Sequence, residues 1–266
     1  MRGHARAIIF TELGLQELVR SLHWPGSVMD GLHRADDVLM VALHGVAIST
    51  AEVERIIAPL ENDFPLKSVR WMFPRAPWRP VTLLGRSALA WYDVLASDRS
   101  RIDEAGLEAA ARRLTDLIRS ERNGRLRRSR IVLAGFSQGG SLALHLGVRL
   151  GEVLAGVVAI SSALPSLGTL PPGGPESPPF FLAHGLLDRV VPYSMGRDSM
   201  RALAEKGYRV EWHSYLTGHW INARCLRHVA RWLEDSVVCS AAAQPATARP
   251  GRRVRVATAW SSELSA

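Results

Sequence analysis

Cysteine is scarce: Cys225 and Cys239 are the only two in 266 residues. Two cysteines do not build a disulfide framework. Neither has a histidine pair at metal-ligand spacing, so a disulfide-stapled module and a structural zinc site are excluded and a reducing compartment fits. Long apolar runs are also missing. No stretch approaches the ~20 apolar residues of a membrane span. Near the N-terminus, Arg2 and Arg6 flank only Ala7-Ile8-Ile9-Phe10 before Glu12, too short for a signal-peptide core, and no small-residue cleavage site follows. A cytoplasmic location without stable membrane insertion is the expectation. Lysine is nearly absent as well: Lys67 and Lys206 stand alone, and the net charge of +8 is carried by arginine. Arg119, Arg122, Arg125, Arg127, Arg128 and Arg130 cluster ahead of an apolar strand, at its N-terminal end. Sites in open α/β sheets lie at the opposite, C-terminal ends. The cluster reads as a solvated basic face, with phosphate or membrane-surface binding as the alternative. No nucleic-acid-binding motif accompanies it.

What is present is an alternation of apolar strands and helical stretches, with 47% hydrophobic residues, ample for a core. Strands are expected at residues 37–43, 68–73, 130–135, 155–160, 179–183 and 208–215. Helices are expected at 50–58, 104–120, after Ser137, at 194–206 and at 222–235. Thr50 is the expected cap of the first helix. Val53 stands where a capping box would want Glu or Gln, so the box is imperfect. This order implies an α/β fold with a mostly parallel sheet covered by helices on both faces. Residues 74–100 form a Pro- and Trp-containing excursion, and 161–178 a loop dense in Pro, Gly and Ser. Residues 1–36 carry only weak signals, a strand at Ala5–Phe10 and a short helix at Leu13–Leu22. The domain proper spans 37–235. Residues 236–266 read as a disordered tail, with an edge strand at Arg253–Trp260 as the alternative.

The chemistry concentrates in Gly135-Phe136-Ser137-Gln138-Gly139-Gly140. A buried strand, a sharp turn and a buried helix give G-x-S-x-G its meaning as a nucleophile elbow; without that context the motif is common. A serine hydroxyl needs a base and an orienting acid. Asp188 follows the strand 179–183 in His184-Gly185-Leu186-Leu187-Asp188, and His219 follows the strand 208–215 in Leu216-Thr217-Gly218-His219. The bland readings are a turn residue for Asp188 and a helix-capping loop residue for His219. His213 lies within a strand and His228 within a helix, so neither has a loop's freedom to reach Ser137. The order Ser137, Asp188, His219 is that of the α/β-hydrolases.

Leu43-His44-Gly45, Pro74-Arg75-Ala76-Pro77, Arg79-Pro80-Val81-Thr82, Trp91-Tyr92-Asp93, the Ser137 motif, His184 to Pro192 and Gly218-His219 occur in one order. Together they resemble the phospholipase/carboxylesterase family of α/β-hydrolases, over about residues 37–235. The resemblance implies Ser137 as nucleophile, Asp188 as acid and His219 as base. It also implies backbone N–H groups of Val46 and Gln138 as oxyanion donors, and no metal or organic cofactor. The chain departs from the family at Val46-Ala47-Ile48-Ser49, where Gly or Asp is common. It departs again between Thr82 and Trp91, which lacks a Met-Pro-Gly approach.

The expected activity is hydrolysis of short- to medium-chain carboxylic esters through an acyl-enzyme. Acyl-protein thioesterase or lysophospholipase activity is the alternative, and a non-catalytic binding protein a second one. Trp78, Trp91, Leu83, Leu84 and Leu164 could line an apolar acyl site or simply seal the loops onto the sheet. Expected partners are a small-molecule ester and, at most, a second copy of the chain in a homodimer.

Overall fold

The structure is a computed structural model and describes residues 38–63, 69–96, 101–123, 130–150, 154–168, 170–238 and 254–258. The expectations for residues 1–36 lie outside these. Seven strands form one parallel sheet: β1 (Val38–Leu43), β2 (Val69–Met72), β5 (Arg130–Phe136), β6 (Leu154–Ile160), β7 (Phe180–Gly185), β8 (Val210–Tyr215) and β9 (Val254–Thr258), in the order β2-β1-β5-β6-β7-β8-β9. All six residues of β1 are buried. A strand covered on both faces needs such an unbroken apolar run rather than alternation, which is why 38–43 is legible without a period.

Helices α1 (Thr50–Asp63), α2 (Glu104–Asn123), α3 (Gln138–Gly147), α4 (Tyr193–Glu205) and α5 (Ala223–Leu233) connect the strands. In α3, Leu142, Ala143, Leu144 and Leu146 are all buried, so this helix is enclosed and places the turn before it in the centre of the sheet. The parallel connections bring His44, Ser137, Asp188 and His219 out at the C-terminal ends of β1, β5, β7 and β8, where open α/β sheets hold their sites.

Three expectations are corrected. The first helix is capped by Ser49, not Thr50. Glu52 N–H donates to Ser49 Oγ at 3.3 Å, while Ser49 N–H donates to Glu52 Oε2 at 2.7 Å. This is a complete Ser-x-x-Glu box, one residue earlier than expected, and the helix runs on to Asp63. The excursion 74–100 contains an antiparallel hairpin, β3 (Trp78–Val81) with β4 (Arg86–Leu89), outside the main sheet. Pro80 within β3 hides it from a strand search.

The third concerns the tail, where the alternative expectation, an edge strand within Arg253–Trp260, is the one seen. Val254–Thr258 forms the edge strand β9, parallel to β8. Before it, a π-helical turn at Glu234–Val238 buries Val237, whose carbonyl accepts a hydrogen bond from Arg130 Nη1. Residues 239–253 and 259–266 lie outside the described residues. Among the described arginines of the basic cluster, Arg119 is exposed near the end of α2 and Arg130 opens β5. No helix among the described residues is long and apolar enough to cross a membrane.

Candidate active site

Ser137 sits between β5 and α3 with φ 54° and ψ −119°. A non-glycine residue held there is strained and persists only where its surroundings enforce it. The enforcement is visible. Ser137 N–H donates to Ile160 O at 2.9 Å. A Cβ on Gly135 would lie 2.3 Å from the Gly139 carbonyl carbon, and one on Gly139 2.1 Å from Leu43 O. Both glycines of the motif are therefore demanded by close approach of backbone to backbone. Gln138 is the first residue of α3, so its N–H has no intrahelical acceptor and points at the end where the helix dipole favours negative charge.

The loop after β1 packs on this elbow, since a Cβ on Gly45 would fall 3.3 Å from Ser137 Cβ. Ile48 N–H closes a turn onto Gly45 O at 3.3 Å, with Ala47 at φ 59° and its N–H bonded to Leu89 O at 2.9 Å. Val46 N–H makes no backbone hydrogen bond among the described residues. The sequence Val-Ala-Ile-Ser, unusual for the loop, thus still turns tightly beside Ser137.

His44 fixes that loop. Its Nδ1–H donates to Gly45 O at 2.8 Å and its Nε2 accepts from Ala76 N–H at 3.0 Å, an arrangement that only the neutral ring satisfies. Burial pushes its pKa down, with Arg75 adding to the shift and the Gly45 carbonyl opposing it. Trp91 completes the set: its indole N–H donates to His44 O at 2.8 Å, and its backbone N–H to Gln138 Oε1 at 2.9 Å.

Asp188 is buried in the loop after β7. Its Oδ1 accepts from Val190 and Val191 N–H at 2.8 and 2.9 Å, and its Oδ2 from His219 Nδ1–H at 2.8 Å. Burial alone would raise its pKa. Hydrogen bonds from His184 and His219 and from the Val191 amide outweigh it and hold the carboxyl below the usual carboxylate range. With its proton on Nδ1, His219 keeps Nε2 as an acceptor. Its ring lies 4.8 Å from that of Phe136, the residue before Ser137. No hydrogen bond joins the Ser137 hydroxyl to the imidazole among the described residues; such bonds are often long until substrate binds.

The sequence assigns no role to His184. Its Nε2 lies 2.9 Å from Val191 O and 3.4 Å from Asp188 Oδ2, so a second buried imidazole braces the acid. Only its place four residues before Asp188 pointed to it. The side chain of Gln138 was likewise missed. His213 and His228 are engaged elsewhere, with Glu211 and Tyr215 and with each other at 3.1 Å. In the same network burial pushes the Cys225 thiol up to about 12, so it stays protonated.

The residues expected to line an acyl pocket differ widely in exposure. Trp78 is 67% and Leu83 40% exposed on the hairpin and its turn. Leu164 and Trp91 are buried, and Leu84 packs on Val81, Ala88 and Ala90. Trp91 is committed to holding loops. Exposed apolar side chains also stand on the loops of Asp188 and His219: Leu187 at 61% and Leu216 at 81%. Leu186 N–H to Tyr215 O and Leu187 N–H to Thr217 O stitch these two loops together.

The model of the phospholipase/carboxylesterase family matches residues 28–237. The chain belongs to this family. Among its relatives is acyl-protein thioesterase 1 of Mycosarcoma maydis, 35% identical over 65% of this chain and 80% of that protein. Acyl-protein thioesterase 1 of Yarrowia lipolytica is 30% identical over 76% and 93%. Among solved structures, Zea mays acyl-protein thioesterase 2 superposes with a TM-score of 0.66 at 27% identity, covering 76% of this chain and 94% of that one. The chain is therefore a member of a hydrolase family with the α/β-hydrolase fold.

Proposed function

We propose that this family member hydrolyses acyl thioesters, and oxygen esters of the same acyl groups, through Ser137, His219 and Asp188. The observation that carries the reading is the His219 Nδ1–Asp188 Oδ2 hydrogen bond of 2.8 Å on a buried carboxylate, with the His219 ring packed on Phe136, which precedes the strained Ser137. His219 Nε2 takes the proton of Ser137 as its Oγ attacks the acyl carbonyl. Asp188 holds the tautomer and stabilises the imidazolium. The N–H groups of Val46 and Gln138 receive the developing oxyanion. The protonated imidazole then gives its proton to the departing thiol or alcohol. Water, deprotonated by His219, releases the acid and regenerates Ser137.

Thioester hydrolysis is put ahead of simple carboxylesterase action because relatives named acyl-protein thioesterase align along most of their length. The exposed Leu187 and Leu216 on the catalytic loops also suit an apolar acyl chain. The test is turnover of an S-palmitoylated peptide beside p-nitrophenyl esters from acetate to palmitate, with wild type and Ser137→Ala. The expected result is measurable thioester turnover, reduced by on the order of 10³ or more in the variant. Ester turnover without thioester turnover would favour the carboxylesterase reading. Equal rates in variant and wild type would overturn the mechanism.

A further inference from the structure

A cavity of about 530 Å³ opens between α2 and the segment that runs from Pro74 into β3. That size is within the ~300–1,000 Å³ of sites that take small molecules. One face of α2 walls it at helical spacing, through Gly106, Ala109, Ala110, Arg113, Leu114 and Leu117. Pro74, Pro77 and Trp91 also line it. The walls are thus mainly apolar, and three arginines, Arg75, Arg79 and Arg113, also line the space.

These arginines differ. Arg79 is held by Asp103 at 2.9 Å and by Trp91 O at 3.0 Å. Arg75 and Arg113 are exposed and form no ion pair with a carboxylate among the described residues. An apolar trough edged by two unneutralised guanidinium groups complements a ligand with an apolar chain and an anionic head. The planar fork of arginine suits carboxylate or phosphate in particular. None of Ser137, Asp188 and His219 lines the cavity. Trp91 is common to both regions, as a cavity wall and as the donor to His44 O.

We propose that this cavity is a second ligand site, distinct from the Ser137 site, for a single-chain amphiphile with a carboxylate or phosphate head. The chain lies against Trp91, Leu114 and Leu117, and the head meets Arg75 and Arg113.

Dodecanoate and dodecyl phosphate, titrated calorimetrically into the full-length protein, test this; the tighter of the two identifies the head group. Dodecyltrimethylammonium, with an equal chain and opposite charge, is expected not to bind. Arg75→Glu and Arg113→Glu, both on exposed side chains, are expected to weaken binding by about tenfold or more, the loss of a charge-assisted contact. Ala109→Trp, which fills the trough from α2, is expected to abolish it. Protein treated with a fluorophosphonate at Ser137 is expected to bind as untreated protein does. Binding that disappears on that treatment, or that survives all three substitutions, overturns the proposal. The outcome is separable from the hydrolase reading, because the substitutions decide the site even if Ser137 takes no label.

Discussion

Gln138 grips the chain at Trp91 and Tyr92 from both ends of its amide: Oε1 accepts Trp91 N–H at 2.9 Å and Nε2 donates to Tyr92 O at 2.6 Å. The residue that follows the candidate nucleophile therefore fixes the segment whose indole anchors His44. Replacing it with Glu keeps the acceptor but loses the donor, leaving the buried Tyr92 carbonyl facing a carboxylate. Gln138→Glu should lower stability by about 1–3 kcal/mol, the usual penalty for an unsatisfied buried group. Urea melts measure this. An unchanged midpoint would show that the Nε2–Tyr92 bond contributes nothing.

A second prediction concerns the acid. The folded pKa of Asp188 is below its unfolded value, so its charged form contributes stability above the unfolded pKa of about 3.9. That contribution is lost as pH falls toward the folded value. Asp188→Asn should be less stable than wild type at pH 7, and the gap should shrink as pH drops from about 5 toward 2. The same variant should lose on the order of 10⁴ in kcat if Asp188 orients His219. A stability gap that stays constant with pH would contradict the assigned shift.

How much of this was legible in the sequence follows from how local each feature is. The strands leading to His44, Ser137, Asp188 and His219 are short apolar runs, and the elbow glycines are dictated by contacts within a few residues or with the end of β1. These are readable from pattern and motif. The hairpin at 78–89 was hidden by Pro80, and the edge strand at Arg253–Trp260 was legible only as the alternative to disorder, given its flanks of Ala, Pro and Arg; both depend on a partner strand that the sequence alone does not supply. The bracing of Asp188 by His184, and of Trp91 by Gln138 across 47 positions, are tertiary contacts of residues whose types fit many roles.

A third prediction follows from His44. Its folded pKa is lowered mainly by burial, so the neutral ring contributes stability above the unfolded value of about 6.5, and that contribution declines as pH falls below it. Protonation would also turn Nε2 from acceptor to donor, facing the Ala76 N–H it now binds. The melting temperature should fall from pH 7 to 5. The Ala76 amide, after correction for the intrinsic pH dependence of exchange, should lose protection over the same range. Protection unchanged at pH 5 would show that the ring stays neutral there or that the bond is not formed.

The last prediction separates the two parts of the C-terminal segment. Val237 is buried, its side chain lies near Gly156 of β6, and its carbonyl accepts from Arg130 at the start of β5. A chain ending at Asp235 loses this plug and leaves apolar surface of β6 and α5 open. Burial of one such side chain is worth roughly 1.5–3 kcal/mol, so this truncation should lower the melting temperature by several degrees. A chain ending at Val238 keeps the plug and, of the described elements, lacks only β9, which pairs at the sheet edge along β8. Its loss exposes the β8 edge, an invitation to intermolecular pairing. The shorter truncation is therefore expected to melt near wild type at low concentration but to associate as concentration rises, followed by light scattering. Equal melting temperatures for the two truncations would show that Val237 stabilises nothing. A chain ending at Val238 that stays monomeric at high concentration would show that β9 is not what protects the edge of β8.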